Sequence, residues 1–98
     1  MSLGKNDVIE AYEKHVMSTY IPDRVMVKGQ GTRVWDADGQ VYLDFGSGIA
    51  VTNTGHAHPV VAEAIANQAR SLLHVSNLYY TENQAKLAQR LSMLSLKG

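Results

Sequence analysis

Three short runs rich in Val, Thr and aromatic residues constrain the fold more than any other feature of the chain. They cover residues 25–28, 32–36 and 40–45, and the segments between them contain Gly29-Gln30-Gly31 and Ala37-Asp38-Gly39. Runs of this length, separated by glycine-containing turns, are typical of antiparallel strands joined by hairpins. The sequence therefore predicts a three-stranded antiparallel meander.

The last of these runs predicts that one face of the sheet is buried. Val41, Leu43 and Phe45 alternate with polar or amphipathic neighbours. Successive side chains of a strand point to opposite faces, so this alternation is expected when one face packs against other elements. We expect Val41, Leu43 and Phe45 to face a core.

An amphipathic helix is predicted before the strands. Its stripe is formed by apolar or aromatic residues at every fourth position: Val8, Tyr12, Val16 and Tyr20. Asp7 with Glu10 three residues later is typical of a capping box at the start of such a helix. Pro22 lacks an N–H group and disfavours helical torsions at the preceding residue, so we expect the helix to end near Tyr20.

Two more helices are predicted after residue 58. Pro59 suits the first position of a helix, and the spacing of the apolar residues that follow predicts a helix over about 59–73. Thr81 and Gln84 form a second capping-box pattern, and a third helix runs from there towards the C-terminus. We expect the apolar stripe of the second helix to face a core.

The order of these elements predicts the fold class. A helix, three strands, a glycine-rich loop over 46–58 and two helices indicate an α+β fold and not a βαβ array. We find no internal repeat and no domain linker. We assign residues 1–5 to an expression leader and residues 6–98 to one continuous segment.

The composition excludes several classes of protein. Nine Lys and Arg balance nine Asp and Glu, so no net charge attracts nucleic acid or an anionic membrane. The absence of Cys removes disulfides and thiolate metal sites. The apolar stretches are far shorter than the roughly 20 residues that span a bilayer, and the start lacks a signal-peptide pattern. We predict a cytoplasmic protein without nucleic-acid or membrane partners.

The glycine-rich loop leaves two interpretations open. Gly46-Ser47-Gly48 does not complete a nucleotide-binding fingerprint, so these glycines are explained by turn formation. The alternative is that they let the backbone approach a ligand closely, because glycine has no Cβ.

The two histidines of this loop do not predict a metal site. His56 and His58 are two residues apart, which places their rings on opposite sides of an extended segment. We expect His58 to cap the second predicted helix and His56 to bond loop carbonyl groups.

Residues between the second and third predicted helices form the other candidate site. Tyr79 and Tyr80 follow Ser76 and Asn77, which brings hydroxyl, amide and aromatic groups together. One ring either staples the third helix or faces a ligand, and the residues alone do not decide between these roles. No serine lies in a setting typical of a nucleophile, and no pair of carboxylates is indicated.

Two longer runs resemble a known family. The first strongly resembles the amino-terminal region of class III pyridoxal-phosphate aminotransferases, through Gly31-Thr32-Arg33-Val34-Trp35-Asp36, Gly39, Tyr42-Leu43-Asp44-Phe45, Gly48-Ile49-Ala50-Val51, Gly55-His56 and His58-Pro59. The second, His74-Val75-Ser76-Asn77-Leu78-Tyr79-Tyr80-Thr81-Glu82 with Gln84, is similar to the acetylornithine aminotransferase branch. Asn83 departs from the proline usual in that branch. The resemblance covers about residues 17–94.

The resemblance implies a cytosolic homodimer of fold type I with pyridoxal 5'-phosphate as cofactor. It implies amino transfer between N-acetylornithine, or a related omega-amino donor, and 2-oxoglutarate, in arginine biosynthesis. Residues 6–58 would belong to the small domain, and residues 59–98 would begin the helices of the large domain. Ile49 would line the amino-donor pocket, and Asn77, Tyr79 and Tyr80 would line the active site near the subunit boundary.

The resemblance assigns no catalytic, cofactor-binding or metal residue to this chain. Its five lysines do not match the Schiff-base lysine motif of the family: Lys5, Lys14, Lys28, Lys86 and Lys97. We therefore expect an amino-terminal part of a longer aminotransferase, inactive by itself and without bound pyridoxal phosphate. The alternatives are a non-catalytic dimerisation or interaction module on the same scaffold, and a part of an ornithine or 4-aminobutyrate aminotransferase.

Overall fold

Three antiparallel strands form the sheet of this computed structural model, which describes residues 2–95. Strand β1 is Met26–Gln30, β2 is Arg33–Asp36 and β3 is Val41–Leu43, in the order β1-β2-β3. Gly29 pairs with Val34 and Trp35 pairs with Val41, so each strand pairs with the next along the chain. The predicted meander is confirmed. Strands β2 and β3 are shorter than the runs that predicted them, whereas β1 continues past the predicted end at Lys28 to Gln30.

Along the described chain, one helix precedes the sheet and two helices follow it. Helix α1 is Lys5–His15, α2 is Pro59–Ser71 and α3 is Glu82–Leu94, with a 3-10 turn at Ser76–Leu78. The predicted α+β class is confirmed. The chain divides into two compact units at the boundary between Glu63 and Ala64. The sheet belongs to the first unit.

Helix α1 is shorter than the sequence pattern predicts. Val16 has extended torsions, and its N–H donates the last helical bond to the Tyr12 carbonyl. Tyr20 is therefore not on the helix, and the prediction of an end near Tyr20 is wrong. Ser18 and Thr19 follow Met17, and such hydroxyl residues favour non-helical backbone.

The helix starts also differ from the predicted capping boxes. Gly4 is the N-cap of α1, and its N–H donates to the Asp7 carboxylate at 3.1 Å. Thr81 is the N-cap of α3, but its side chain makes no capping bond. The Gln84 amide instead donates to the Asn77 side-chain oxygen at 3.5 Å. A longer-range partner thus replaces the local one.

Apolar burial is missing from the described part of the chain. Among residues 2–95 no hydrophobic side chain is buried, although many are large. Phe45 is 93% exposed, and Val41 and Leu43 are at least half exposed. The prediction that this face of β3 lies against a core is wrong for these residues, because no described element covers it. The apolar stripe of α2 is exposed as well.

The better covered face of the β2–β3 hairpin is the polar one, which carries Asp36 of β2 and Tyr42 of β3. Asp36, 7% exposed, accepts the Tyr42 hydroxyl at 2.8 Å and the amides of Asp38 and Gln40 at 3.0 and 2.9 Å. Burial by itself raises the pKa of Asp36, but these hydrogen bonds outweigh burial and lower it. The hydrogen bond to Asp36 raises the pKa of Tyr42. One carboxylate thus closes the β2–β3 hairpin.

Within residues 2–95, no helix combines the length and the apolar character that crossing a bilayer requires.

Candidate functional site

The glycine-rich loop contains a turn with left-handed backbone at Ser47–Ala50, called here the left-handed turn. The φ angles of its four residues are 50° at Ser47, 60° at Gly48, 63° at Ile49 and 62° at Ala50. Ile49 is 92% exposed at this turn. Ile49, the residue expected to line the donor pocket, is therefore exposed and has left-handed backbone torsions.

This backbone carries strain. A non-glycine residue in the left-handed region costs about 1–2 kcal/mol, so Ser47, Ile49 and Ala50 together cost about 3–6 kcal/mol. A β-branched residue such as Ile49 is a genuine outlier there. Strained backbone of this kind occurs where the surrounding structure enforces it, and it clusters at ligand sites.

The Asp44 carboxylate contacts the start of the left-handed turn. Its Oδ1 accepts the amides of Gly46 and Ser47 at 3.0 and 2.9 Å. Its Oδ2 lies 2.5 Å from His56 Nε2, and both side chains are largely covered. The hydrogen bond from His56 lowers the pKa of Asp44, with the Ser47 amide contributing. The carboxylate is thus ionised, and Nε2 donates to it.

His56 is held by Gly29 of β1 and by Gly31 of the β1–β2 connection. Its N–H donates to the Gly31 carbonyl at 2.8 Å, and its carbonyl accepts the Gly31 N–H at 2.9 Å. The ring packs where Gly29 has no side chain, because a Cβ on Gly29 would lie 2.6 Å from His56 Cγ. Gly55, at φ 88°, similarly lies against Gly31, with its added Cβ 3.1 Å from Gly31 Cα.

These contacts correct the prediction for His56 and confirm the one for His58. The His56 ring bonds a carboxylate and not loop carbonyls. His58 Nδ1 accepts the N–H of Val60 at 3.2 Å, which caps α2. Sequence reasoning missed Asp44, although Asp followed by Gly46 is a signal for an Asx turn. No group of three or more potential metal ligands occurs in the described part of the chain.

The other predicted site residues lie in the second unit. Asn77 is in the 3-10 turn, and its side-chain oxygen accepts the Gln84 amide at 3.5 Å. Tyr79 is exposed and Tyr80 fully so. Asn77 and Tyr80 line a groove of about 500 Å³ that also contains Gln68 and Gln84. Amide and hydroxyl groups therefore converge on one open groove.

Every lysine among the described residues already has a partner. Lys28 lies over the Trp35 ring at 4.7 Å, and the other lysines form exposed ion pairs: Lys5 with Asp38, Lys14 with Glu10 and Lys86 with Glu82. Asp38 raises the pKa of Lys5. A nucleophilic lysine needs a lowered pKa, usually through burial. The described residues therefore do not by themselves fit pyridoxal phosphate.

Comparison with known proteins assigns the chain to a family. The family model for class III aminotransferases matches residues 14–97. The chain belongs to the class III aminotransferase family. The resemblance carried by the two sequence runs is thereby confirmed.

Relatives of this class III chain include acetylornithine aminotransferases. That of Caldanaerobacter subterraneus is 52% identical over 87 residues, which are 88% of this chain and 22% of the relative. That of Methanosarcina mazei is 47% identical over 96 residues, which are 97% of this chain and 24% of the relative. This class III chain therefore spans less than a quarter of the length of these relatives.

Solved structures of aminotransferases share the fold. An acetylornithine aminotransferase from Elizabethkingia anophelis matches with a TM-score of 0.85 and 34% identity, over 95% of this chain and 23% of that one. A taurine:2-oxoglutarate aminotransferase from Bifidobacterium kashiwanohense, in complex with pyridoxal phosphate and glutamate, matches with a TM-score of 0.87 and 28% identity. The match covers 96% of this chain and 22% of the taurine:2-oxoglutarate aminotransferase chain. The prediction of a partial fold type I transferase is thus confirmed.

Proposed function

We propose that this chain is the amino-terminal part of a pyridoxal-phosphate-dependent aminotransferase that transfers an amino group between N-acetylornithine and 2-oxoglutarate in arginine biosynthesis. The observation that carries the proposal is the 52% identity to an acetylornithine aminotransferase over 88% of this chain. Pyridoxal phosphate acts as an electron sink for the carbon that exchanges its amino group. The described lysines are paired, and none of the five lysines of the chain matches the Schiff-base motif of the family, so we place that lysine outside this chain.

The role we assign to this chain is to form part of the substrate site. Ile49 would line the amino-donor pocket, and Asn77, Tyr79 and Tyr80 would line the active site near a subunit boundary. The groove that Asn77 and Tyr80 share supports the second part of the proposal, because it brings amide and hydroxyl groups to one concave surface. Residues 6–58 would belong to the small domain and residues 59–98 to the start of the large one.

Activity measurements test the proposal. We expect the 98-residue chain, supplied with pyridoxal phosphate, to transfer no amino group from N-acetylornithine to 2-oxoglutarate. We expect a longer protein that contains this sequence to do so, and its gene to restore growth without arginine to a strain lacking the activity. Amino transfer by the 98-residue chain would overturn the division of roles. An inactive longer protein would favour a non-catalytic interaction module.

A panel of donors tests the substrate. Solved structures with a similar fold include an ornithine aminotransferase from Toxoplasma gondii. We expect kcat/KM to be highest for N-acetylornithine, compared with ornithine and 4-aminobutyrate. A higher value for ornithine would reassign the donor and leave the reaction class intact.

Single substitutions test the proposed lining. Tyr80→Phe removes one hydroxyl from the groove, and loss of a hydrogen bond to substrate raises KM by about fivefold. Tyr20→Phe changes another exposed tyrosine, which does not line the groove, and is the matched control. Equal KM values for the two variants would remove Tyr80 from the site.

We further propose that the longer protein is a cytoplasmic homodimer. The molar mass measured by light scattering tests whether it is a dimer. Its distribution between the soluble and membrane fractions after cell disruption tests its location. A monomeric active enzyme would overturn the first, and recovery with membranes would overturn the second.

A further inference from the structure

The left-handed turn needs support from outside itself. Within the turn, the N–H groups of Ile49 and Ala50 donate to the Gly46 carbonyl at 2.9 and 3.1 Å. The Val51 N–H donates to the Ser47 carbonyl at 2.7 Å. A right-handed turn would form bonds of the same kind without the steric penalty. The bonds within the turn therefore do not explain its handedness.

Both ends of the loop are fixed to the β1–β2 turn, at one end of the sheet. At one end, the Asp44 N–H donates to the Thr32 carbonyl at 2.8 Å. At the other end, His56 exchanges two backbone bonds with Gly31. Thr32 and Gly31 are adjacent in sequence, so the loop leaves and returns at the same point of the hairpin. The Asp44–His56 pair links the two ends through side chains.

The Asp44 carboxylate connects this anchor to the turn. The oxygen that accepts the Gly46 and Ser47 amides sets the direction in which the chain enters the turn. The other oxygen bonds His56, whose ring is confined beside Gly29. The carboxylate therefore cannot rotate away without breaking a bond to one of its partners.

We propose that Asp44 and His56 are positioning residues that hold Ile49 at the wall of the amino-donor pocket and thereby set donor specificity. The inference rests on the proposed function. The hydrogen bonds of the two side chains go to each other and to the Gly46 and Ser47 amides, so the pair acts on Ile49 through the backbone of the left-handed turn. With Ile49 92% exposed, its location depends on that backbone and not on packing within the described residues.

The two half-reactions of the longer, active aminotransferase test the inference. A displacement of about 1 Å at a binding wall lowers rates by up to about a hundredfold. We expect Asp44→Asn and His56→Ala to lower kcat/KM for N-acetylornithine by about 10- to 100-fold. We expect kcat/KM for 2-oxoglutarate to change by less than about threefold. Asp38→Asn, an exposed aspartate paired with Lys5, is the matched control and leaves both values unchanged.

A conservative variant separates positioning from folding. The His56→Gln side chain carries an N–H group close to the place of Nε2, so it should restore most of the donor kcat/KM lost in His56→Ala. An equal loss in both half-reactions, without rescue by glutamine, would show a merely structural role and overturn the inference.

A double-mutant cycle tests the link to Ile49. If Asp44 acts through Ile49, Asp44→Asn should lower the donor kcat/KM much less in an Ile49→Ala background than in wild type. Additive losses would overturn the inference while wild-type amino transfer still stands. A wild-type longer protein without amino transfer would instead overturn the proposed function itself.

Discussion

At the scale of residues, two aspartates organise two different segments. Asp36 is buried and closes the β2–β3 hairpin, whereas Asp44 is partly covered and fixes the loop that follows β3. Each accepts two backbone amides and one side-chain hydrogen. Hydrogen bonds to a carboxylate favour its ionised form, which is why the pKa of each is lowered.

The Tyr42 hydroxyl gives the first prediction at this scale. Tyr42→Phe leaves one oxygen of the buried Asp36 carboxylate without its hydroxyl donor. We expect hydrogen exchange at the Asp38 and Gln40 amides to accelerate by about tenfold, because the turn opens more easily. Tyr20→Phe, at an exposed tyrosine, is the control. Unchanged exchange in Tyr42→Phe would show that the backbone amides alone hold Asp36.

The Asp44–His56 pair gives a prediction about pH. The folded-state pKa of Asp44 lies below its ordinary value of 3.8, so its contribution to stability is present above pH 3.8. That contribution is lost as the pH falls through the folded-state pKa. We expect a carboxyl titration by NMR to give a midpoint below 3.8, which His56→Ala shifts upward. A midpoint that His56→Ala leaves in place would contradict the assigned cause.

At the scale of elements, close backbone approach joins the β1–β2 hairpin to the glycine-rich loop. Gly29, Gly31 and Gly55 meet there with His56, and two of these glycines have φ angles of 57° and 88°. The isolated bridge between Gly31 and His56 gives the loop a backbone connection to the hairpin. These three glycines thus allow the loop to dock on the hairpin.

Gly29→Ala tests this contact. The added Cβ would lie 2.6 Å from His56 Cγ, so the ring must move. We expect the free energy of unfolding to fall by about 1–3 kcal/mol, the usual cost of overpacking. In Gly46→Ala, the added Cβ meets Asp44 Oδ1 at an ordinary 3.6 Å, and φ is −81°. Gly46→Ala should therefore be tolerated, and equal denaturation midpoints for the two variants would contradict this account.

At the scale of the whole molecule, the part of the chain that the structure describes exposes many large hydrophobic side chains. Sheet, helices and linkers all expose large hydrophobic side chains, among them Ile21, Phe45, Ile65, Leu73 and Leu91. Monomeric proteins rarely expose contiguous apolar patches of more than a few hundred Å². The hydrogen-bonded sheet and loop therefore lack the apolar burial that stabilises most domains.

This exposure predicts how the 98-residue chain behaves. We expect self-association, or unfolding at low denaturant concentration, together with binding of a dye specific for apolar surface. Sedimentation velocity and a urea titration measure these properties. Because binding to the native state stabilises it, the same segment should be more protected in the longer protein. A monodisperse monomer with a cooperative, high-midpoint transition would contradict this prediction.

The sequence by itself determined the element types, the fold class and the family. Period-two and period-four patterns, glycine turns and Pro59 act over a few residues, so local rules predict the meander and the helices. Only the tertiary structure decided which face of β3 is covered and that Asp44 meets His56. Those outcomes depend on contacts between residues far apart in sequence. Asp44 and His56 are twelve residues apart, and they meet because Gly55 docks against Gly31. The left-handed backbone of Ser47–Ala50 has the same explanation. Surrounding contacts, and not local preference, hold its non-glycine residues at positive φ.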